Sequence, residues 1–153
     1  MAGFTATAWL AAPPTVVFAT LHDVNHFPAV LKGVIRAEQL TAGPVGLGTR
    51  FLETRLIKGQ EASAEIAVTT YDPPHRYAAT SSQEGITATY HYTLTPEQQG
   101  AQPGTRINLR AEASAQGWKK LLLPLVVGYM KKEDSNHLQR LKGVVEALPS
   151  VAH

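Results

Sequence analysis

Between residues 34 and 113 the chain adopts a two-residue hydropathy period six times, at 34–40, 49–57, 62–71, 76–82, 86–95 and 105–113. Side chains on a strand alternate between faces, so each run reads as a strand with one apolar face. The joints are turn chemistry: Gly43-Pro44 with Gly46 and Gly48, Lys58-Gly59, Asp72-Pro73-Pro74, Glu84-Gly85, and Pro96 through Gly104. Joints this short imply hairpins, because a parallel pair needs a crossover of a dozen residues or more. Six antiparallel strands in a meander follow.

The flanks complete the frame. Residues 4–10 alternate moderately, are rich in Thr and aromatics, and read as a further strand. Pro13-Pro14 stops it, and Pro14 can open a helix at 15–21, where Val16, Val17 and Phe18 offer an apolar face. Residues 23–31 read as a second short helical stretch, with Asn25 as its cap and Pro28 inside its first turn. Residues 118–148 are helical. Set at about 100° per residue, Leu123, Val127, Met130, Leu138, Leu141, Val145 and Leu148 fall on one face. Pro124 either opens this helix or kinks an earlier turn.

The expected fold class is α+β. A seven-stranded curved antiparallel sheet wraps around a long C-terminal helix, a helix grip, with two short helices after strand 1. Residues 1–153 read as a single domain, with no internal repeat and no linker. A sheet of seven strands twists and coils, so a straight helix laid across it cannot touch it everywhere. Alternation places Ile107, Leu109, Ala111 and Ala113 on one face, Ala62, Ala64, Ile66 and Val68 on another strand's inner face, and Ile86, Ala88, Tyr90, Tyr92 and Leu94 on a third. Several of these are alanine. Small inward residues on a wide sheet leave volume unfilled, which points to a cavity between sheet and helix.

The chain resembles a known superfamily in its landmarks and their order. These are Pro13-Pro14-x-x-Val17-Phe18, Leu21-x-Asp23, Val45-Gly46-Leu47-Gly48-Thr49-Arg50-Phe51, and Tyr71-Asp72-Pro73-Pro74-His75-Arg76-Tyr77. Tyr90-x-Tyr92-x-Leu94-x-Pro96, Gly104-Thr105-Arg106 and Leu138-x-x-Leu141-Lys142-x-x-x-Glu146 follow. Together they are similar to the START-like, birch-pollen-allergen-like group called SRPBCC, most of all its polyketide cyclase/dehydrase and lipid-transport branch. The resemblance spans nearly the whole chain. It implies binding of a hydrophobic ligand and, in some members, cyclisation or dehydration of polyketides. It carries no universal active-site motif, so no catalytic residue is transferred from it.

The residues themselves supply the candidates. Asp134 falls near the centre of the helix stripe, and His137 lies three positions later on the same side. Residues three apart on a helix are neighbours. A carboxylate beside an imidazole in a pocket could act as a general acid or base, so these two are the catalytic candidates. Glu53 and Arg55 share parity with Phe51 and Ile57, and enter the pocket if Phe51 faces inward; the opposite phase, with Leu52 and Leu56 inward, puts both outside. Tyr90 and Tyr92 are expected inward, with His91 outward between them, and Tyr129 and Trp118 fall off the stripe centre. The expected ligand-binding set is Phe51, Glu53, Arg55, Ile66, Tyr90, Tyr92, Met130, Asp134 and His137.

Other chemistry is disfavoured. The chain has no cysteine, which excludes disulfides, thiolate metal sites and cysteine nucleophiles. His22 and His26 have helical metal-ligand spacing, but Pro28 disrupts the helix and no Glu completes an HExxH motif, so no metal and no cofactor are expected. No Gly-x-Ser-x-Gly elbow occurs, and Gly43 to Gly48 joins two strands and opens no helix. The net charge is only +2, and Lys119, Lys120, Lys131 and Lys132 read as a solvated helix face, so nucleic acid is not an expected partner. The apolar run 121–130 is half the length of a bilayer span, so stable membrane insertion is not expected, and no signal peptide is read.

A cytoplasmic monomer or homodimer is the expectation, binding a hydrophobic or aromatic small molecule, lipid or polyketide-like. Two alternatives stand beside it: a polyketide cyclase or aromatase using pocket acid/base groups, and an interaction module working through the apolar run at 121–129. Whether the chain is an enzyme stays open at the level of sequence.

Overall fold

Seven strands form one antiparallel sheet in a computed structural model that describes residues 2–134 and 136–148. They are β1 (Ala2–Leu10), β2 (Val34–Gln39), β3 (Arg50–Ile57), β4 (Gln60–Asp72), β5 (Arg76–Gln83), β6 (Ile86–Gln99) and β7 (Gln102–Ala115). Their order is β1-β7-β6-β5-β4-β3-β2, so the first two strands are the two edges. Alternation decides which face is covered. Ile107, Leu109, Ala111 and Ala113 are buried, while Asn108 and Arg110 between them are exposed. Two hairpins turn on a residue pair with positive φ at both positions, Lys58 (50°) with Gly59 (79°) and Glu84 (52°) with Gly85 (81°). That is the turn whose twist matches the right-handed twist of the flanking strands.

The stretch 96–104, expected to be a joint, is mostly strand. β6 and β7 stay paired through Pro96 with Thr105 and Gln98 with Pro103, and turn at Gly100 and Ala101. The prolines are tolerated because the neighbouring strands have already ended. β5 pairs with β6 no further than Thr93, and β1 pairs with β7 no further than Thr105. In a two-stranded ribbon a proline facing outward forfeits no ladder hydrogen bond. Gly104 marks the crossing point. A Cβ there would lie 2.4 Å from the Leu10 carbonyl oxygen and 2.5 Å from the Trp9 ring.

Residues 11–33 must carry the chain from one sheet edge to the other. Pro13 is extended (φ −68°, ψ 155°) and α1 (Pro14–Leu21) begins directly after it, with Pro14 where a missing N–H leaves nothing unsatisfied. The next helical stretch divides. Asp23, not Asn25, is the cap: its carboxylate accepts the Asn25 backbone N–H at 3.0 Å. A 3-10 turn (Val24–His26) leads into α2 (Phe27–Val30), with Pro28 in its first turn.

The C-terminal helix is likewise segmented. A 3-10 turn (Gly117–Leu122) precedes α3 (Leu123–Asp134), which Pro124 opens from its first turn, and α4 (His137–Ala147) follows. The sequence between Asp134 and His137 is Ser-Asn, residues that compete with the helix through their own side-chain hydrogen bonds. α4 buries Leu138, Leu141 and Val145 against α1, α2 and β1, in a core that includes Leu10, Val17, Phe18, Leu94 and Ile107. α3 packs closely on β1 and β7 and stands off from the middle of the sheet, with space between them.

Candidate functional site

One row across the sheet runs Ala2, Ala113, Ala88, Ser81, Ile66, Phe51, from β1 to β3. Four of its six side chains are alanine or serine. Beneath α3 these short side chains leave a cavity of about 440 Å³, bordered by Ala88, Ser81, Ile66 and Phe51. The tips of the β3–β4 and β5–β6 hairpins lie at the same end of an antiparallel sheet. Ile57, Gln83, Glu84 and Tyr129 border the cavity there and reach solvent or half-exposed positions, which makes that end its mouth.

Polar groups gather at one side of this apolar space. The Tyr90 hydroxyl donates to Asp134 Oδ2. The Tyr92 hydroxyl lies 2.7 Å from His137 Nε2, and His137 Nδ1 lies 3.3 Å from the Val30 carbonyl oxygen. A carbonyl can only accept, so Nδ1 carries the proton, Nε2 is the acceptor, and Tyr92 is the donor. Burial holds His137 below the usual imidazole range, against the pull of Asp134, and so agrees with this neutral tautomer. Burial, reinforced by the Asp134 charge, pushes the Tyr90 phenol far above its ordinary value, and Tyr92 is raised chiefly by burial as well. Both phenols remain protonated donors.

Glu53 and Arg55 form a second pair, with Arg55 Nη2 3.6 Å from Glu53 Oε1. Glu53 is buried and Arg55 is partly exposed, with its Nη1 donating to the Lys32 carbonyl at 3.3 Å. Burial raises the Glu53 carboxyl, Asp134 adds to the rise, and Arg55 opposes it. One acceptor in this group is left over. Asp134 is 4% exposed and its Oδ1 has no hydrogen-bond partner among the described residues.

All nine residues singled out as a ligand-binding set border the cavity: Phe51, Glu53, Arg55, Ile66, Tyr90, Tyr92, Met130, Asp134 and His137. The strand phase left open by sequence is the one with Phe51 inward, fixed by its pairing with Ile66. Asp134 and His137 do not hydrogen-bond to each other. α3 ends at the first and α4 starts at the second, so the unbroken helical register that would stack them is absent, and each takes a tyrosine from β6 instead. Tyr77 lies outside the set expected from sequence. It is buried, borders the cavity and packs on Tyr92 with ring centroids 6.0 Å apart. Its strand gives little signal, because Ala, Thr and Ser occupy both parities after it. The Val30 carbonyl has no sequence signal at all, being a backbone group 107 residues from His137.

Elsewhere the polar groups satisfy one another. A second depression, of about 610 Å³, lies on the outer face of the sheet around Thr5, His91, Asn108 and Arg110. There His91 Nε2 sits 2.8 Å from Glu112 Oε1 and Arg110 Nη1 donates to Glu112 Oε2 at 2.7 Å. Its floor is outward-facing side chains on a solvent-exposed sheet face, and among the described residues no buried side-chain group in it lacks a partner, so the inner cavity is the better candidate site. His22 packs on Phe18 and Tyr71, and His26 lies 3.7 Å from Asp23. Among the described residues no three of His, Asp and Glu converge as a metal-binding group. Trp118, Leu121 and Leu125 stand in solvent at 68%, 80% and 73% exposure. Among the described residues no helix is long and apolar enough to cross a membrane.

The known proteins that resemble this chain share its frame. Solved structures with the same fold include Ara h 8.0201 (18% identity over 96% of this chain and 99% of that one, TM-score 0.74). TTHA0849 from Thermus thermophilus is 22% identical over 97% of this chain and 100% of that one, with a TM-score of 0.74. The di-domain ARO/CYC StfQ from the steffimycin biosynthetic pathway is 14% identical over 94% of this chain and 50% of that one, with a TM-score of 0.70. At such identities the likeness is one of fold. No curated protein matches the chain. The family described as polyketide cyclase / dehydrase and lipid transport matches residues 1–146. With that match on a helix-grip sheet of seven strands, the chain belongs to the polyketide cyclase / dehydrase and lipid transport family of the SRPBCC superfamily.

Proposed function

We propose that this chain, as one START-like domain over residues 1–153, binds a hydrophobic or aromatic small molecule between the sheet and α3, in the cytoplasm, as a monomer or homodimer. The observation that carries the proposal is the cavity of about 440 Å³, apolar over Phe51, Ile66, Ala88 and Met130. Burial of a ligand's apolar surface contributes about 25 cal/mol per Å², and the few polar groups at one side would fix its orientation. The test is native mass spectrometry of the purified protein for a copurifying molecule, followed by displacement of a fluorescent apolar probe. A bound hydrophobic compound, or saturable probe binding that Ala88→Leu weakens, is the expected result. Protein with no bound mass and no probe binding would end the proposal.

A second reading, an enzyme of the cyclase or aromatase type, has its own observation. The cavity holds several groups able to hold or pass a proton, Glu53, Tyr90, Tyr92, Asp134 and His137, with Asp134 and His137 each bonded to a phenol. A pocket that folds a reactive chain gains rate by proximity, and such groups could relay its protons. Turnover of a poly-β-carbonyl substrate that disappears in Asp134→Asn or His137→Gln while binding persists would support it. Binding without turnover in the unmutated protein would favour the binder.

A further inference from the structure

The cavity's leftover acceptor specifies something about its occupant. Asp134 is buried at 4% exposure, borders the cavity, and has one carboxylate oxygen taken by Tyr90 and the other, Oδ1, without a donor among the described residues. Buried polar atoms in folded proteins are nearly always paired, and an exception asks for an occupant. Among the described residues no side chain supplies the missing donor. The Tyr90 proton is committed to Oδ2. The Tyr92 proton is committed to His137 Nε2, because Nδ1–H is spent on the Val30 carbonyl. Arg55 is turned to Glu53 and to the Lys32 carbonyl. The polar side of the cavity therefore offers acceptors: Asp134 Oδ1 first, then the lone pairs on the two phenol oxygens.

Charge narrows the class. The buried acids facing the cavity are Glu53 and Asp134, the cation is Arg55, and Glu84 stands in solvent at the mouth. Glu53 is already paired with Arg55 across 3.6 Å, and an anionic ligand would meet the Asp134 carboxylate beside them. A cationic ligand would have to leave water for an apolar cavity, a desolvation cost of several kcal/mol that a carboxylate repays only in ideal geometry. A neutral donor meets neither obstacle.

Resting on the binding function above, we propose that the ligand bears a neutral hydroxyl, phenolic or alcoholic, which donates to Asp134 Oδ1 while its hydrocarbon body lies over Ala88, Ile66 and Phe51. The hydroxyl oxygen is then free to accept from a second donor, and the Tyr77 phenol borders the same space. A hydrogen bond to a charged acceptor is stronger than one between neutral groups, and a ligand without the donor leaves Oδ1 desolvated and unpaired.

The experiment is isothermal titration calorimetry at pH 7 with three probes of one shape: 2-naphthol, 2-methoxynaphthalene and 2-naphthylmethylammonium. The expected result is that 2-naphthol binds at least about tenfold tighter than 2-methoxynaphthalene, with the ammonium probe no tighter than the naphthol. In Asp134→Leu the preference should fall to near parity, with 2-methoxynaphthalene still bound. If that variant does not fold, the isosteric Asp134→Asn serves: its amide can turn an N–H into the cavity, so the preference should vanish or reverse toward the ether. Equal binding of naphthol and ether by the unmutated protein overturns the hydroxyl proposal and leaves the cavity reading standing. So does a preference that survives in the Asp134 variants, and tightest binding of the ammonium overturns the neutral class. If neither naphthalene binds, the binding function itself fails and the hydroxyl proposal with it.

Discussion

Ala88→Leu tests whether the space beneath α3 is empty. Ala88 sits in mid-sheet with Ser81 and Ala113 as its cross-strand neighbours, and its side chain borders the cavity. Leucine adds three carbons. Each buried methylene is worth about 0.8 kcal/mol, and fixing the leucine rotamer costs about 0.5–1 kcal/mol. A net gain of about 1.5 kcal/mol follows if the added atoms enter vacant apolar volume. For a domain of this length that is about 3–6 °C in Tm. The same substitution in a filled core would force off-rotamer side chains and cost about 1–3 kcal/mol. Thermal unfolding of ligand-free protein followed by circular dichroism reads the sign directly. A higher Tm together with weaker probe binding is expected, and a Tm that falls by several degrees would refute the vacancy.

Tyr92→Phe should cost about 1–3 kcal/mol in urea unfolding with an unchanged m-value, because His137 Nε2 loses its donor in a buried setting. The pH dependence of stability should divide between two residues with opposite slopes. His137 is held below its ordinary 6.5, so the unfolded chain binds the extra proton, and stability present above about pH 6.5 is lost as the pH falls below it; His137→Gln should flatten that slope. Glu53 is raised above its ordinary 4.5, so the folded chain binds the extra proton, and stability should decline as the pH rises from 4.5; Glu53→Gln should remove the decline and unfold at higher urea than the unmutated protein at about pH 7.5. Gly104→Ala should destabilise by at least about 1–3 kcal/mol in the same assay, since its Cβ would meet the Leu10 carbonyl and the Trp9 ring.

Much of this is readable in the residues, for identifiable reasons. A strand with one covered face announces its phase when the two parities differ in polarity, as Ile107, Leu109, Ala111 and Ala113 do against Arg106, Asn108, Arg110 and Glu112. On 49–57 they do not differ enough. Phe51 and Ile57 are matched by Leu52 and Leu56, and only cross-strand register settles where Glu53 and Arg55 point. Pro96 and Pro103 read as a turn because composition says nothing about where neighbouring strands stop. The polar side of the cavity is half legible. Asp134 stands out as a carboxylate on an apolar stripe, but its partner Tyr90 lies 44 residues away and the His137 partner Tyr92 lies 45 away, distances that no helical periodicity encodes.

The most direct test of a ligand cavity is a ¹H–¹⁵N correlation spectrum of the labelled protein titrated with 2-methoxynaphthalene. Saturable shifts confined to amides around the cavity, in particular those of Ile66, Ser81, Ala88, Tyr90 and Met130, are expected. Shifts centred on Thr5, Asn108 and Arg110 on the outer face, or no shifts at all, would contradict it.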